Sequence, residues 1–101
     1  IDPGTATTGY GIISAKIMRC KNKSNFQCLA YGLIKTSPTM ATAERLRKIS
    51  NELNQLLVKY RPIALAVESL YFFKNLKTAM PVSQAKGVIL LTAAKKKIPV
   101  F

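Results

Sequence analysis

Two carboxylates in this sequence stand where a chain could build a cation or phosphate site. Asp2 directly precedes a turn in which Pro3 fixes its own φ and Gly4 can adopt a positive φ. Glu68 follows the continuous apolar run 63–67. In open α/β sheets ligands collect at the carboxyl ends of strands, and Mg²⁺ prefers oxygen ligands. A carboxylate left partly buried at such a strand end is costly, so we expect a metal ion or a basic neighbour beside each.

The opening residues 1–11 allow three interpretations. An Asp-Pro-Gly sequence can form an ordinary hairpin turn. The spacing of Asp2, Gly4 and Thr5 also resembles the glycine-rich phosphate hairpin of the actin, chaperone and sugar-kinase ATPases. The same run resembles the opening strand of the RuvC family of Holliday-junction resolvases, in which the Asp is the first catalytic metal ligand. Residues 1–11 alone do not distinguish among these three interpretations.

The charge balance favours a polyanionic partner. The sequence has 16 Lys and Arg residues against 4 Asp and Glu, which gives a net charge of +12. Nucleic acid is the expected partner, and an anionic membrane is second because no basic amphipathic helix supports it. No segment has the pattern of a membrane span or of a signal peptide.

The residue types also limit the chemistry. The sequence contains no His, which removes the usual general base and disfavours triad-type hydrolysis. Cys20 and Cys28 are too few and too poorly spaced for a zinc site, and we predict free thiols in a reducing, cytoplasmic compartment. Chemistry based on carboxylates and a metal remains.

Hydrophobic periodicity predicts a mixed α/β fold. Two alternating strands joined by a basic turn predict an antiparallel hairpin. A helix with one apolar stripe follows, and then the apolar run, which is typical of a strand buried on both faces. A second helix leads to the start of another strand. The predicted strands are an opening one that ends at Asp2, 9–18, 26–36, 63–67 and one from 98, and the helices are 41–60 and one from 76 or 78 to 96.

The two helices differ in their predicted surroundings. Glu44 and Glu52 lie outside the apolar stripe of the first helix, which predicts solvated charges rather than catalytic groups. Pro81 is compatible only with the first turn of the second helix, so Thr78 is the candidate N-cap. Residues 88–94 are apolar nearly all round, which predicts cover by the sheet on one side and by a second subunit on the other.

The connector before the second helix is rich in aromatic residues. Tyr71 and Phe72 are followed by Phe73 and Lys74. Aromatic side chains here can pack into the core, but those beside a carboxylate and a Lys can also stack on unpaired bases. Tyr71 or Phe72 is therefore a candidate nucleic-acid contact, with core packing as the alternative.

Several separate motifs resemble the RuvC family over almost the whole chain. The element order is strand, strand, strand, helix, strand, helix, strand, with carboxylates ending the first and fourth strands, which is the ribonuclease H-like plan. The resemblance implies a single nuclease domain over residues 1–101, truncated before its final helix, in a fragment that lacks both chain ends. The motifs that carry it are residues 1–11, 32–36, 66–68, 73–75 and 84–88.

The resemblance implies a structure-selective endonuclease that nicks Holliday junctions symmetrically in DNA recombination and repair. Asp2 and Glu68 would be two of four catalytic carboxylates that bind two Mg²⁺ or Mn²⁺ ions, and the other two would lie on a final helix outside this chain. Lys86 stands where the family usually has Arg, and it keeps the charge without the bidentate fork. The implied DNA contacts are Tyr71, Phe72, Lys74, Asn75, Lys77 and Lys86.

The implied partners are a four-way DNA junction, a second copy of the chain through the helix 76–96, and the branch-migration proteins RuvA and RuvB, with no membrane. Two alternatives stay open. A nucleotide-binding domain of the actin and sugar-kinase type would need a second such domain to close on ATP, and its function would not explain the net charge of +12. A non-catalytic nucleic-acid-binding module fits the same fold.

Overall fold

A long hairpin, two helices and short extended segments make up the fold. The computed structural model describes residues 1–4, 6–18, 23–69 and 76–101, with the side chains of these residues apart from 16–18, 23–25 and 76–78. The predicted hairpin and both predicted helices are confirmed, with ends that differ by a few residues. The elements are β1 (Thr7–Met18), β2 (Lys23–Lys35), α1 (Thr42–Tyr60) and α2 (Leu76–Lys95).

The hairpin has two unlike faces. β1 and β2 form one antiparallel ladder, with a bulge between Ile12 and Ile13. Successive side chains of a strand point to opposite faces, so each strand presents one set of residues to the helices and another set away from them. Ile34 is buried on the face that carries the helices, here called the inner face, whereas Leu33 and Tyr31 are exposed on the opposite, outer face.

Short segments extend this sheet beyond β1. Asp2 and Gly9 form an antiparallel bridge. Two hydrogen bonds join Ile1 in parallel to the segment 66–68, and a further parallel bridge joins Leu65 to the last strand segment. The sheet is therefore mixed, as predicted, with an antiparallel hairpin at one side and parallel segments at the other. Its order is β2, β1, residues 1–2, residues 65–68 and residues 99–101.

Both helices pack on the inner face and against each other. The apolar stripe predicted for α1 is confirmed, because Ile49, Leu53 and Leu57 are buried. Ser50 Oγ and Thr92 Oγ1 lie 3.1 Å apart and join the two helices. Burial of each large apolar side chain contributes roughly 1.5–3 kcal/mol. The core cluster consists of Ile34, Ile49, Leu53, Leu57, Leu65, Ala85, Ile89 and Ala93.

The start of α2 differs from the prediction. The helix begins at Leu76, so Thr78 lies inside it and is not its N-cap, and Pro81 is its sixth residue. Pro81 lies just beyond the first four amide groups, which have no intrahelical acceptor, so it removes only about one bond of the helical ladder. Among the described residues, no helix combines the length and the hydrophobicity that crossing a membrane requires.

The run 63–67 is not buried on both faces, contrary to the expectation from its continuous hydrophobicity. Leu65 is buried against the helices, whereas Ile63 is 92% exposed and Ala66 is also exposed. Both described helices pack on the inner face, so Ala64 and Ala66 meet solvent on the outer face. Ile63 is exposed for another reason, since it lies in a bend before the strand segment begins.

The two carboxylates of α1 differ from each other. Glu44 is exposed and pairs with Arg47 at 3.7 Å, as a solvated helix charge does. Glu52 is half-buried, and its Oε2 is enclosed without a hydrogen-bond partner among the described residues. The prediction of a solvated side chain is therefore wrong for Glu52, because this residue lies where α1 meets the hairpin, beside Tyr10 and Ile34.

Candidate functional site

Asp2 is held in place by the backbone of β1. Its amide donates to the Gly9 carbonyl at 2.9 Å, and the Gly9 amide donates back to the Asp2 carbonyl at 3.0 Å. A Cβ added to Gly9 would lie 3.8 Å from the Cβ of Asp2 and 3.8 Å from Leu33. Since Leu33 is on the outer face, the Asp2 side chain projects from that face, at the rim of the sheet.

The turn after Asp2 depends on Gly4, for a reason that differs from the prediction. No described glycine has a positive φ, so Gly4 does not use the conformational freedom expected of it. A Cβ on Gly4 would instead lie 2.0 Å from the Thr7 carbonyl oxygen. The close approach of the backbone is therefore what requires glycine here. The Thr8 hydroxyl does not contribute to this rim, because its side chain is buried.

Glu68 reaches the same rim from the neighbouring strand segment. Its amide donates to the Ile1 carbonyl at 2.9 Å, and the Ile1 nitrogen donates to the Ala66 carbonyl at 2.7 Å. Ile1 therefore lies opposite Val67, which packs on the core, and Glu68 projects to the outer face beside Asp2. Two adjacent parallel strand ends thus bring the predicted pair together.

The two carboxyl groups interact directly. A side-chain hydrogen bond with Asp2 raises the pKa of Glu68 above its ordinary value, and repulsion from the Asp2 charge adds to the rise. Desolvation acts in the same direction, and the α-amino group acts in the opposite direction. Both side chains are exposed, so the expectation of partial burial is wrong. Two like charges are nevertheless held side by side, and a divalent cation between them would relieve their repulsion.

The surface around the pair is open. Asp2 and Glu68 line a hollow of about 450 Å³ whose floor includes Gly9 and Ala66. These small residues leave room above the sheet for a large ligand to approach the carboxylates. Ala66 was not among the predicted site residues; its place two positions before Glu68 on a strand is the signal that could have identified it.

The donor set fits part of a divalent-cation site. Carboxylate oxygens are hard ligands suited to Mg²⁺ and Mn²⁺. No group of three or more His, Cys, Asp or Glu occurs in the described ranges, which leaves Asp2 and Glu68 as a pair. Because Mg²⁺ takes about six ligands, the pair supplies part of a coordination shell and leaves positions for water, phosphate oxygens or further residues.

Of the other predicted site residues, the structure describes the side chain of Lys86 alone. Lys86 is half-buried on α2 and is absent from the described lining of the hollow, so the structure does not bring it to the carboxylate pair. Lys77 belongs to the first turns of α2, and its side chain is not described. The predictions for Tyr71, Phe72, Lys74 and Asn75 fall outside the described residues.

The cysteines were predicted to be free thiols. Cys28 is free and exposed on β2, whereas Cys20 lies outside the described residues. Among its described contacts, the Cys28 thiol donates to the Ala30 carbonyl at 3.7 Å, which is a weak local bond.

Solved structures share this architecture. The chain superimposes on Thermus thermophilus RuvC with a TM-score of 0.87, at 30% identity over 99% of this chain and 58% of that one. It also matches a structure described as T. thermophilus RuvC in complex with Holliday junction substrate, with a TM-score of 0.88, 28% identity, and coverage of 99% and 60%. These neighbours confirm the predicted ribonuclease H-like fold.

Sequence comparisons match the same kind of protein as the structural comparisons. A crossover junction endodeoxyribonuclease RuvC from Treponema denticola is 47% identical over 94% of this chain and 50% of its own length. The namesake from Syntrophomonas wolfei is 46% identical over 99% of this chain and 55% of its own length. The chain thus spans about half the length of the curated relatives it matches. The family model described as crossover junction endodeoxyribonuclease RuvC matches residues 1–101, and the chain belongs to the RuvC family.

Proposed function

We propose that this protein is a structure-selective, metal-dependent endonuclease that nicks Holliday junctions symmetrically during DNA recombination and repair. The observation that carries the proposal is the pair of carboxylates, Asp2 and Glu68, which adjacent strand ends hold side by side above an open hollow. Membership of the RuvC family and the net charge of +12 support it.

The proposed catalytic groups are Asp2 and Glu68, which would hold two Mg²⁺ ions, with Mn²⁺ as a substitute. When bound, such ions lower the pKa of a water and stabilise the leaving oxygen of an in-line displacement. The chain contributes position: paired backbone hydrogen bonds fix Asp2, and the ladder to Ile1 fixes Glu68. The hydrogen bond with Asp2 raises the pKa of Glu68, so a proton would compete with a cation for this carboxylate.

The DNA contacts are proposed from residue chemistry. Aromatic side chains can stack on bases unpaired at the centre of a junction, and Lys side chains can bind phosphates in a sequence-independent manner. The structure of T. thermophilus RuvC with a Holliday junction supports a four-way junction as the substrate. The proposed set is Tyr71, Phe72, Lys74, Asn75, Lys77 and Lys86.

A homodimer through α2 is the proposed assembly. An exposed stripe runs along this helix with a spacing of four, three, four and three residues, which is the spacing that lets two helices pack together. Two such helices related by a two-fold axis would present two carboxylate pairs to one junction, and paired sites account for symmetric nicking. The stripe consists of Met80, Gln84, Gly87, Leu91 and Ala94.

Two further parts of the proposal rest on the family resemblance and on the substrate. RuvA and RuvB are the proposed branch-migration partners. The proposed location is the cytoplasm, where the DNA substrate would be encountered.

A junction-cleavage assay tests the proposal. The protein at its full natural length would be incubated with a labelled four-way junction and Mg²⁺, alongside Glu68→Gln and the matched control Glu44→Gln. Paired nicks that disappear in Glu68→Gln but persist in Glu44→Gln, with junction binding retained in both, support the nuclease. Junction binding without nicking in the wild type, under either Mg²⁺ or Mn²⁺, would leave a non-catalytic nucleic-acid-binding module instead.

A further inference from the structure

A group of cations lies at the end of the molecule opposite the carboxylate pair. Both helices lead into parallel segments of the sheet, which are joined by the bridge between Leu65 and Val100. The C-termini of α1 and α2 therefore meet at the edge from which these segments start, whereas Asp2 and Glu68 lie at the edge where they end. This basal cluster consists of Lys59, Arg61, Lys95, Lys96 and Lys97.

The basal cluster carries positive charge without neutralising carboxylates. All five side chains are exposed. The whole chain has 4 acidic residues, and none lies in the cluster. Asp2 and Glu68 occupy the opposite edge, and Glu44 lies in the first turn of α1. Glu52 is directed toward the hairpin, where it lines one hollow with Lys59, so the other four cations have no carboxylate beside them. The positive charge of this surface is therefore available to a ligand.

The backbone at this end is strained where the cations stand. Arg61 has φ of 47° and Lys97 has φ of 57°, and they are the two non-glycine residues with positive φ among those the structure describes. Each directly follows or nearly follows the end of a helix, where Gly or Asn adopts this conformation with less strain. At both helix ends a basic residue adopts the left-handed conformation, at a position where Gly would be less strained.

Two of these cations also face one cleft. Arg61 and Lys96 line a hollow of about 350 Å³, together with Leu57, Pro62 and Ile98. The apolar members form its wall, and Arg61 and Lys96 line it from positions directly after the ends of α1 and α2. The ends of α1 and α2 therefore lie side by side at this cleft, and the cations that follow the two helices belong to one surface.

Favourable interaction with the helix dipoles does not account for this arrangement by itself. Cations are stabilised within the last turn of a helix, which suits Lys59 and Lys95. Such stabilisation does not require Arg61 and Lys97 to adopt a left-handed backbone conformation. A ligand that binds positive charge at both helix ends accounts for these residues as well.

We propose that the basal cluster binds the phosphate backbone of duplex DNA, at a surface separate from the carboxylate pair. The strand segment 65–68 separates the two surfaces, since Arg61 precedes its start and Glu68 lies at its end. Four of the five cations are Lys, a residue depleted at protein–protein interfaces and suited to single phosphate contacts. An arm of duplex DNA would thus be held away from the nicking site.

Salt-dependent binding of a plain duplex tests this surface. The protein at its full natural length would be titrated against a short, fluorescently labelled duplex without a junction, in the absence of divalent cations, so that binding is read independently of nicking. Arg61→Asn/Lys97→Asn removes two charges while allowing the left-handed backbone. We expect its slope of log affinity against log salt to become shallower by about 2. The matched control Lys35→Gln/Arg47→Gln removes the same net charge elsewhere and should retain the slope.

Equal slopes for the two double variants would overturn the proposal, because net charge alone would then explain duplex binding. A second variant, Arg61→Gly/Lys97→Gly, separates binding from helix capping. It should raise the midpoint of thermal unfolding while weakening duplex binding. Unchanged duplex affinity in this variant would contradict the proposal. Tighter binding of a polyglutamate peptide than of the duplex, lost in the Asn variant, would assign the surface to an acidic protein and also overturn it.

Discussion

Replacing Gly4 by Ala should distort the carboxylate site without touching either carboxylate. The added Cβ would lie 2.0 Å from the Thr7 carbonyl oxygen, where contacts below 3.0 Å essentially do not occur. The turn must therefore open by at least 1.0 Å. The Asp2–Gly9 hydrogen bonds of 2.9 and 3.0 Å close the same turn, so we expect Asp2 to shift when it opens. A displacement of this size at a catalytic group costs on the order of 100-fold in rate.

Two readouts test this prediction. Single-turnover nicking of a four-way junction at saturating protein should fall about 100-fold in Gly4→Ala, while junction affinity is retained because no cation has changed. The pKa of Glu68, followed by NMR titration, should fall toward its ordinary value as Asp2 moves away. Gly11→Ala is the matched control for this pKa, since its added Cβ meets nothing within 4 Å. A Gly4→Ala protein with wild-type nicking and a raised Glu68 pKa would refute the reasoning.

Three further predictions concern stability. Ile89→Ala should lower the free energy of unfolding, measured by chemical denaturation, by about 2–5 kcal/mol because the Ile89 side chain is 1% exposed. Val58 is 52% exposed, so Val58→Ala should change the same quantity by less than about 1 kcal/mol. The hydroxyl of Thr92 donates to the Val88 carbonyl, so in its contact with Ser50 it must accept. Thr92→Val removes this acceptor from Ser50, and we expect the free energy of unfolding to fall by about 1–3 kcal/mol in the same assay. Because Asp2 raises the pKa of Glu68, the folded chain binds this proton more tightly than the unfolded chain, and stability should fall as the pH rises through that pKa. Thermal unfolding without divalent cations should show this fall in the wild type and not in Glu68→Gln.

Local patterns were sufficient to predict much of the fold. Alternation along the hairpin and the stripe of Ile49, Leu53 and Leu57 are properties of single elements, so they can be read without knowing the neighbours. The approach of Asp2 to Glu68 is not local. It was predicted because the resemblance to the RuvC family places both residues in one set of catalytic carboxylates. The position of Glu68 after an apolar run agrees with this, since ligands collect at the carboxyl ends of strands in open α/β sheets.

The failed predictions depend on neighbours that a local pattern does not specify. Gly4 is required by the Thr7 carbonyl rather than by its own φ, and Glu52 is enclosed because α1 meets the hairpin there. Ala64 and Ala66 are exposed although their run reads as fully buried, because the described helices lie on one face of the sheet. Pro81 could not locate the start of α2, since a proline near a helix N-terminus removes only a small part of the hydrogen-bond ladder.

The most direct test of the central claim is a calorimetric titration of Mn²⁺ into the protein at its full natural length, compared with Asp2→Asn and Glu68→Gln. The account predicts that each substitution abolishes or strongly weakens the tightest binding event, because the two carboxylates form one site. Glu44→Gln, which changes an exposed carboxylate on α1, should bind Mn²⁺ like the wild type. Wild-type binding in both Asp2→Asn and Glu68→Gln would contradict the assignment of this pair as the metal site.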